Sequence, residues 1–286
     1  MGASAVPGDG AGGGAVVPQD GIRAGRRSTV RATAPGPACR LLEQDVVSVR
    51  ELPMAPTAHT IVISPHFDDA VLGCGDLIAA TPGCTVLTVF SGVPSADLPA
   101  PDWDRRCGYA RADEAMLARE REDSLALAEL DAQALRLGLL DSQYTAPPGE
   151  AEMAALRDAL AGALGLLQPR QVYLPMGLFH LDHVRVSDAG LHVGALSATS
   201  SLCQWFAYEE ALYRRKPGLL QRRLVELLAR GVQATPDPAA APAGARKARA
   251  VACYASQLAA LGQTAGQGDP GQPERYWRLR WDEGGA

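Results

Sequence analysis

The spacing of apolar positions changes several times along this chain, and each change marks an expected strand or helix. Short β-branched runs predict buried strands at residues 60–63, 84–90, 134–140, 171–174 and 203–208. Apolar residues at helical spacing predict helices at residues 70–80, 110–130, 150–167, 184–197, 217–230 and 245–261. Residues 94–109 and 235–244, rich in proline and turn residues, predict loops. Residues 262–286 are Gly-rich and predict no element, although the aromatics within 273–277 can dock onto the domain.

Strand and helix alternate five times in this order, which predicts an α/β fold. We expect a Rossmann-like, doubly wound, mostly parallel sheet of about five or more strands, with helices on both faces. Residues 1–40 are rich in Gly, Ala and Pro and show no helical or strand period. Because such a segment buries too little apolar surface to offset its ordering entropy, it is predicted to be a disordered leader. Residues 41–286 are expected to form a single domain.

Charge and composition exclude several classes of protein. The net charge of -5 leaves no basic stripe, so a nucleic-acid partner is not expected. No window approaches the length of a membrane span, and the amino terminus lacks the pattern of a secretory signal. The six cysteines are scattered without a CxxC pair, which is typical of reduced thiols. We therefore expect a cytoplasmic protein, and the sequence leaves its oligomeric state open.

Two of the predicted strands lead into side chains that can bind a metal ion. The first runs into residues 65–69 (PHFDD), and residues 180–183 (HLDH) follow the fourth. His66 and Asp69 are three residues apart at the start of a helix and so point to the same side, and His180 and His183 have the same spacing. Two imidazoles and one carboxylate suit Zn²⁺, and three protein ligands leave a fourth position for water, as in catalytic zinc sites.

Asp68 lies beside Asp69 but points elsewhere, so it could take a proton from a water at such a site. An alternative is that His66 and Asp69 only cap the helix that follows them. The second histidine motif favours the metal site over capping alone.

These two motifs resemble the zinc-dependent N-acetylglucosaminyl deacetylases of the PIG-L/LmbE type, whose signature is a PHxDD-type strand end followed later by HxDH. The resemblance runs from about residue 58 to about residue 280. Weaker matches lie at Arg119, Glu122, Asp141, Ser142, Lys247, Tyr254, Ser256, Gln257, Glu274, Tyr276 and Trp277.

The resemblance implies a role for each motif residue. His66, Asp69 and His183 would bind zinc, and Asp68 would be the general base. His180 would stabilise the oxyanion or protonate the departing amine, with Asp182 holding its ring.

Arg119 and Asp141 would line a sugar pocket, again by resemblance. For Arg119 the alternative is a solvated helix pair with Glu122. For Asp141 the alternative is a residue that ends a strand in a turn.

The sequence departs from the family pattern at three positions. Phe67 stands where the family often has Pro, and Ala70 where it often has Glu. Leu178 occupies a position where some relatives have a Tyr, so a phenol that assists the oxyanion must come from elsewhere.

The resemblance therefore implies a zinc-dependent hydrolase that removes an N-acyl group, expected to be acetyl, from an amino sugar in a glycoconjugate or specialised metabolite. Two alternatives stay open. One is an amidase that acts on a non-sugar amide, such as a thiol conjugate, with the same metal site. The other is a relative that binds a glycan without catalysis.

Overall fold

Seven strands form one sheet in the computed structural model, which describes residues 60–146, 149–197, 203–262 and 273–282. The predicted leader, residues 1–40, lies outside the described residues. The strands are β1 (Thr60–Ser64), β2 (Thr85–Thr88), β3 (Gln133–Arg136), β4 (Gln171–Pro175), β5 (Gln204–Tyr208), β6 (Val232–Asp237) and β7 (Tyr276–Trp281). The helices are α1 (Asp69–Ala80), α2 (Asp102–Arg106), α3 (Ala112–Glu129), α4 (Glu150–Leu167), α5 (Leu181–Ser197), α6 (Leu219–Ala229), α7 (Ala245–Ala252) and α8 (Ala255–Gly262).

The strand order across the sheet is β3-β2-β1-β4-β5-β7-β6. The first five strands pair in parallel, and β7 pairs antiparallel with both β5 and β6. The α/β class and the mostly parallel sheet are thus confirmed, and the finer Rossmann-like double winding stays a prediction.

Both faces of the sheet are covered, because successive side chains of a strand point to opposite sides. In β1, Ile61 and Ile63 pack with α4 and α5, whereas Val62 packs with α1 and α3 on the other face. The central strand β1 is fully buried, which explains its continuous apolar run. Because β1 and β4 pair in parallel, their carboxyl ends lie side by side. The two motifs that follow these strands are thus brought to one edge of the sheet.

Four sequence-based expectations about elements were wrong. Helix α2 lies within the expected loop 94–109, and β6 extends into the expected loop 235–244. The single helix expected at 245–261 is divided at residues 253–254 into α7 and α8. Residues 276–281 form β7 instead of docking only by aromatic contacts. Successive side chains of a strand point to opposite faces, and the mixture of bulky and arginine side chains here suits that alternation.

A buried ion pair anchors the segment that leads into β7. Glu274 accepts a hydrogen bond from Lys247 Nζ (2.6 Å) and from the backbone N–H groups of Asp76 (2.7 Å) and Leu77 (3.1 Å) in α1. The Tyr276 hydroxyl also donates to this carboxylate. Lys247, Glu274 and Tyr276, three of the weaker matches to the family pattern, therefore contact each other. Through Glu274 they connect the start of β7 to α1.

Within the described ranges, none of the helices is long and apolar enough to cross a membrane.

Candidate active site

The turn between β1 and α1 is held by hydroxyl groups from three directions. Tyr208 donates to the carbonyl oxygen of Ile63 and Tyr254 to that of Phe67, both at 2.9 Å. Ser64 Oγ accepts the backbone N–H of Ala70 at 2.9 Å and so satisfies one of the first donors of α1. Ser64 thus performs the capping that was the alternative role for the motif residues.

Asp69 is the point on which the two motifs converge. Its Oδ2 atom lies 3.1 Å from His66 Nδ1 and 3.1 Å from His183 Nε2. It also accepts the backbone N–H of His66 at 3.0 Å. Ligand atoms of a tetrahedral zinc site, each about 2.0–2.1 Å from the metal, lie about 3.3 Å apart. One Asp69 oxygen thus lies within contact distance of each predicted ligand histidine.

The second ring nitrogen of His66 faces acidic side chains. Its Nε2 lies 3.4 Å from Asp182 Oδ2 and 3.6 Å from Asp141 Oδ2. Asp182 is buried, and its carboxylate also accepts hydrogen bonds from Ser142 Oγ (2.8 Å) and Arg185 Nη1 (2.9 Å). Asp182 can therefore orient the His66 ring. Ligand atoms of His66, Asp141 and Asp182 also lie within 4.8 Å of one another, a spacing that could itself hold a metal ion.

Asp182, which is expected to hold the ring of His180, contacts that ring through its backbone. The N–H of Asp182 donates to His180 Nδ1 at 3.3 Å. Asp182 opens α5, and its side chain turns away from His180 towards His66.

The charges around the two ligand candidates favour a cation between them. Burial lowers the pKa of His183, but Asp69 and then Glu210 raise it to about 9. Burial also lowers the pKa of His66, whereas Asp141, Asp182 and Asp69 raise it well above its usual value. The neighbouring carboxylates thus favour positive charge at both rings. The same negative charges would favour a divalent cation between the rings. His66, His180 and His183 offer nitrogen atoms within 4.8 Å of one another, which is also compatible with an ion.

Asp68 and His180 have pKa values shifted in opposite directions. Burial and then the Asp69 charge raise the pKa of Asp68 to about 6, although His66 and Arg119 partly offset this. Burial and then the two other histidines lower the pKa of His180 to about 4. At neutral pH, Asp68 is therefore mostly ionised but basic, and His180 is neutral.

Arg119 lines a cavity of about 260 Å³ over these residues, together with Asp68, Asp141 and His180. Its Nη2 donates to Asp104 Oδ1 at 2.5 Å. The alternative pairing with Glu122 is not what the structure has, since Glu122 accepts hydrogen bonds from Ser256.

Sequence reasoning did not identify Asp104. This carboxylate is fully buried in α2, within the segment expected to be a loop, and it also accepts a hydrogen bond from the Tyr144 hydroxyl at 2.7 Å. Asp104 thereby fixes the guanidinium of Arg119 at the cavity wall.

Asp141 lies in a turn and also faces the cavity. Its carboxylate accepts the backbone N–H of Gln143 at 2.9 Å and caps a short 3-10 turn (Ser142–Tyr144). The strand expected at 134–140 ends earlier, at Arg136, so Asp141 follows a loop and not a strand. The same side chain lines the cavity.

Further side chains complete the cavity wall. Its apolar members come from the β1–α1 turn, α2, α3, α8 and the segments that follow β2 and β5: Phe67, Trp103, Met116, Leu261, Phe90, Leu212 and Tyr213. Cys74 is fully buried on the α1 face of the sheet, and burial raises the pKa of its thiol well above the usual value, which disfavours the reactive thiolate.

A family model described as "PIG-L: GlcNAc-PI de-N-acetylase" matches residues 61–193. None of the curated proteins matches this chain.

Several solved structures share the fold. A triple mutant of a deacetylase of the teicoplanin biosynthetic pathway is 23% identical, with a TM-score of 0.65 over 79% of this chain and 99% of that chain. The zinc-inhibited form of teicoplanin deacetylase Orf2 is 20% identical, with a TM-score of 0.62 over 79% of this chain and 99% of that chain. The hydratase GalB from Pseudomonas putida KT2440 is 15% identical, with a TM-score of 0.50 over 78% of this chain and 96% of that chain. Since a hydratase is among them, these likenesses establish the fold and not the reaction.

Proposed function

We propose that this protein is a zinc-dependent hydrolase that removes an N-acyl group from an amino sugar. The match of residues 61–193 to the PIG-L family model, which describes a de-N-acetylase, supports this. The acyl group is expected to be acetyl, and the sugar to be part of a glycoconjugate or specialised metabolite. One observation carries the proposal: a single Asp69 oxygen lies 3.1 Å from ring nitrogens of both His66 and His183, with Asp68 beside it on the cavity wall.

His66, Asp69 and His183 would hold the metal. When bound there, zinc would polarise the amide carbonyl and make a water more acidic. The carboxylates beyond the two imidazoles support this role, because metal-binding histidines usually donate their second N–H to such a group.

Asp68 would act as the general base. A base works best when its pKa lies near the working pH, and burial together with the Asp69 charge raises the pKa of Asp68 to about 6. The group is then ionised at pH 7 and still basic enough to take a proton from the attacking water.

His180 would donate a hydrogen bond to the carbonyl oxygen or the departing nitrogen. Its Nδ1 accepts the backbone N–H of Asp182, so in the neutral ring the proton resides on Nε2. His180 lines the cavity, and this tautomer supplies it with an N–H donor.

Arg119 and Asp141 would bind the sugar. A guanidinium that is held by Asp104 and a carboxylate that is held by the Gln143 N–H are both oriented before a substrate arrives. Such orientation lowers the cost of binding hydroxyl groups. Deacetylases of teicoplanin biosynthesis have the same fold, which supports an amino sugar attached to a larger product. A cytoplasmic location belongs to the same proposal.

The test combines metal content with acetate release. Protein reconstituted with zinc, then freed of excess metal, should hold about one zinc per chain. His183→Ala should lose this zinc. Asp68→Asn should keep it and lose turnover by a factor of about 10² to 10⁴. Asp158→Asn, on the exposed side of α4, serves as the matched control and should behave like the wild type.

Substrates should include N-acetylated amino sugars, their glycoconjugates and N-acetylated thiol conjugates. Release of acetate from the thiol conjugates alone would show that the substrate is a non-sugar amide and not an amino sugar. Saturable binding of a sugar without hydrolysis, in zinc-loaded protein, would support a non-catalytic glycan-binding protein. Full turnover by Asp68→Asn would refute the assigned base.

A further inference from the structure

Glu210 follows β5 and holds the turn that leads into the second histidine motif. Its Oε1 atom accepts the backbone N–H groups of Gly177 (2.8 Å) and Leu178 (3.0 Å), directly after β4. The side chain is buried. Gly177 has a φ of 80°, a conformation that favours glycine, so the turn has one defined shape around this carboxylate.

The same carboxylate faces His183. The distance from His183 Nδ1 to Glu210 Oε1 is 3.4 Å, which is in ionic contact but longer than a formed N–H···O hydrogen bond. Among the described residues, His183 Nδ1 has no hydrogen-bond partner, and neither has Glu210 Oε2. Both side chains therefore carry a buried polar atom without a partner, which is costly unless the two groups interact.

We propose that Glu210 is a positioning residue for the metal ligand His183, an inference that rests on the proposed metal site. The carboxylate accepts the Nδ1–H of His183, and the proton is then fixed on Nδ1. The lone pair of Nε2 consequently points towards Asp69, 3.1 Å away. A carboxylate in this place also makes the imidazole a stronger electron donor.

The neighbouring Glu209 provides a matched control. It is equally buried, but its carboxylate faces β7, where Oε1 accepts the indole N–H of Trp277 at 2.9 Å. Its other oxygen lies 3.7 Å from Arg275 Nη1. Glu209→Gln and Glu210→Gln therefore make the same chemical change at adjacent buried positions, and only the second changes the group that faces His183.

The experiment measures the zinc dissociation constant of the metal-stripped full chain by competition with a chromophoric chelator at one fixed pH. Glu210→Gln keeps an amide oxygen for the two backbone N–H groups but removes the negative charge beside His183. It should bind zinc about 10-fold to 100-fold more weakly than the wild type. Glu209→Gln should bind zinc within about threefold of the wild type.

Three results would be decisive. Wild-type zinc affinity in Glu210→Gln would overturn the positioning role while leaving the metal site intact. Equal weakening in both variants would also overturn it, because a general loss of packing would explain the effect. No zinc binding by the wild type would instead refute the proposed function.

A measurement on the wild type covers the case in which Glu210→Gln does not fold. In zinc-loaded protein with ¹⁵N-labelled histidine, the signals of His183, identified by their loss in His183→Ala, should show a proton on Nδ1 and the metal on Nε2. Ligation through Nδ1 would overturn the proposal.

Discussion

Asp123 is a fully buried carboxyl group of α3 that is linked through the Tyr254 hydroxyl to the turn between β1 and α1. The Tyr254 hydroxyl lies 3.0 Å from Asp123 Oδ1 and 2.9 Å from the carbonyl oxygen of Phe67. A hydroxyl has one proton to donate. If that proton goes to Phe67, Asp123 must be protonated and donate to the Tyr254 oxygen.

Burial raises the pKa of Asp123 from 3.8 to about 7, although the Tyr254 hydroxyl and Arg136 partly offset the shift. Between these two values the folded protein binds a proton that the unfolded chain has lost, so stability falls as pH rises. Integrated from pH 5 to pH 8, this one group removes about 2.5 kcal/mol from the free energy of unfolding. The loss is complete above pH 7 and absent below pH 4.

Asp123→Asn removes this titration while the side chain keeps its size. Urea unfolding at pH 5, 6, 7 and 8, in the presence of a chelator, gives the free energy of unfolding of each protein. The chelator is needed because metal binding to histidines is itself pH-dependent. The wild type should lose about 2.5 kcal/mol more than Asp123→Asn across this range. Asp158→Asn should follow the wild type.

Parallel pH profiles for the wild type and Asp123→Asn would refute the reasoning. That result would mean that Asp123 is ionised throughout the range and that Arg136, whose Nη2 lies 3.3 Å from Asp123 Oδ2, fully compensates its burial. The Tyr254 proton would then belong to Asp123, and Phe67 would lose its donor.

Three further predictions concern stability and the pH dependence of turnover. Glu274→Ala should lower the free energy of unfolding by about 3–5 kcal/mol in urea titrations, because it leaves a buried ammonium without its closest partner; an unchanged midpoint would contradict this. Arg119→Met should shift the acid limb of kcat/KM to higher pH, since Arg119 lowers the pKa of Asp68; a shift to lower pH would reverse the assigned sign. Ser142→Ala should lower the free energy of unfolding in urea by about 1.5–3 kcal/mol, because it removes a 2.8 Å hydrogen bond to the Asp182 carboxylate. A loss below about 0.5 kcal/mol, as for a neutral surface change, would show that the other donors to Asp182 suffice.

The parallel part of the sheet could be predicted because its strands carry their own signal. Residues 60–63 form a continuous apolar run, which is typical of a strand buried on both faces. Strands β6 and β7 were missed because their residues are mixed. In β7 the two arginines break the apolar run, and only its pairing with β5 and β6 shows that they occupy strand positions.

The site could be predicted only where chemistry and chain order coincide. His66, Asp69 and His183 occur in short motifs after strands, so their proximity follows from the parallel arrangement of β1 and β4. Asp104 gave no such signal, since it lies in a segment expected to be a loop and only the fold brings it to Arg119. Glu210 did have a signal that was overlooked, because it is a carboxylate at the end of a strand.

The place of β7 between β5 and β6 has a consequence for handling the protein. Residues 232–237 join the sheet solely through β7 among the described strands, so deletion of 276–281 would detach two strands at once. The aromatic-rich β5 would then become an open border with free backbone donors and acceptors. Exposed borders of this kind recruit strands from other molecules, so such a truncation should turn a monodisperse preparation into aggregates.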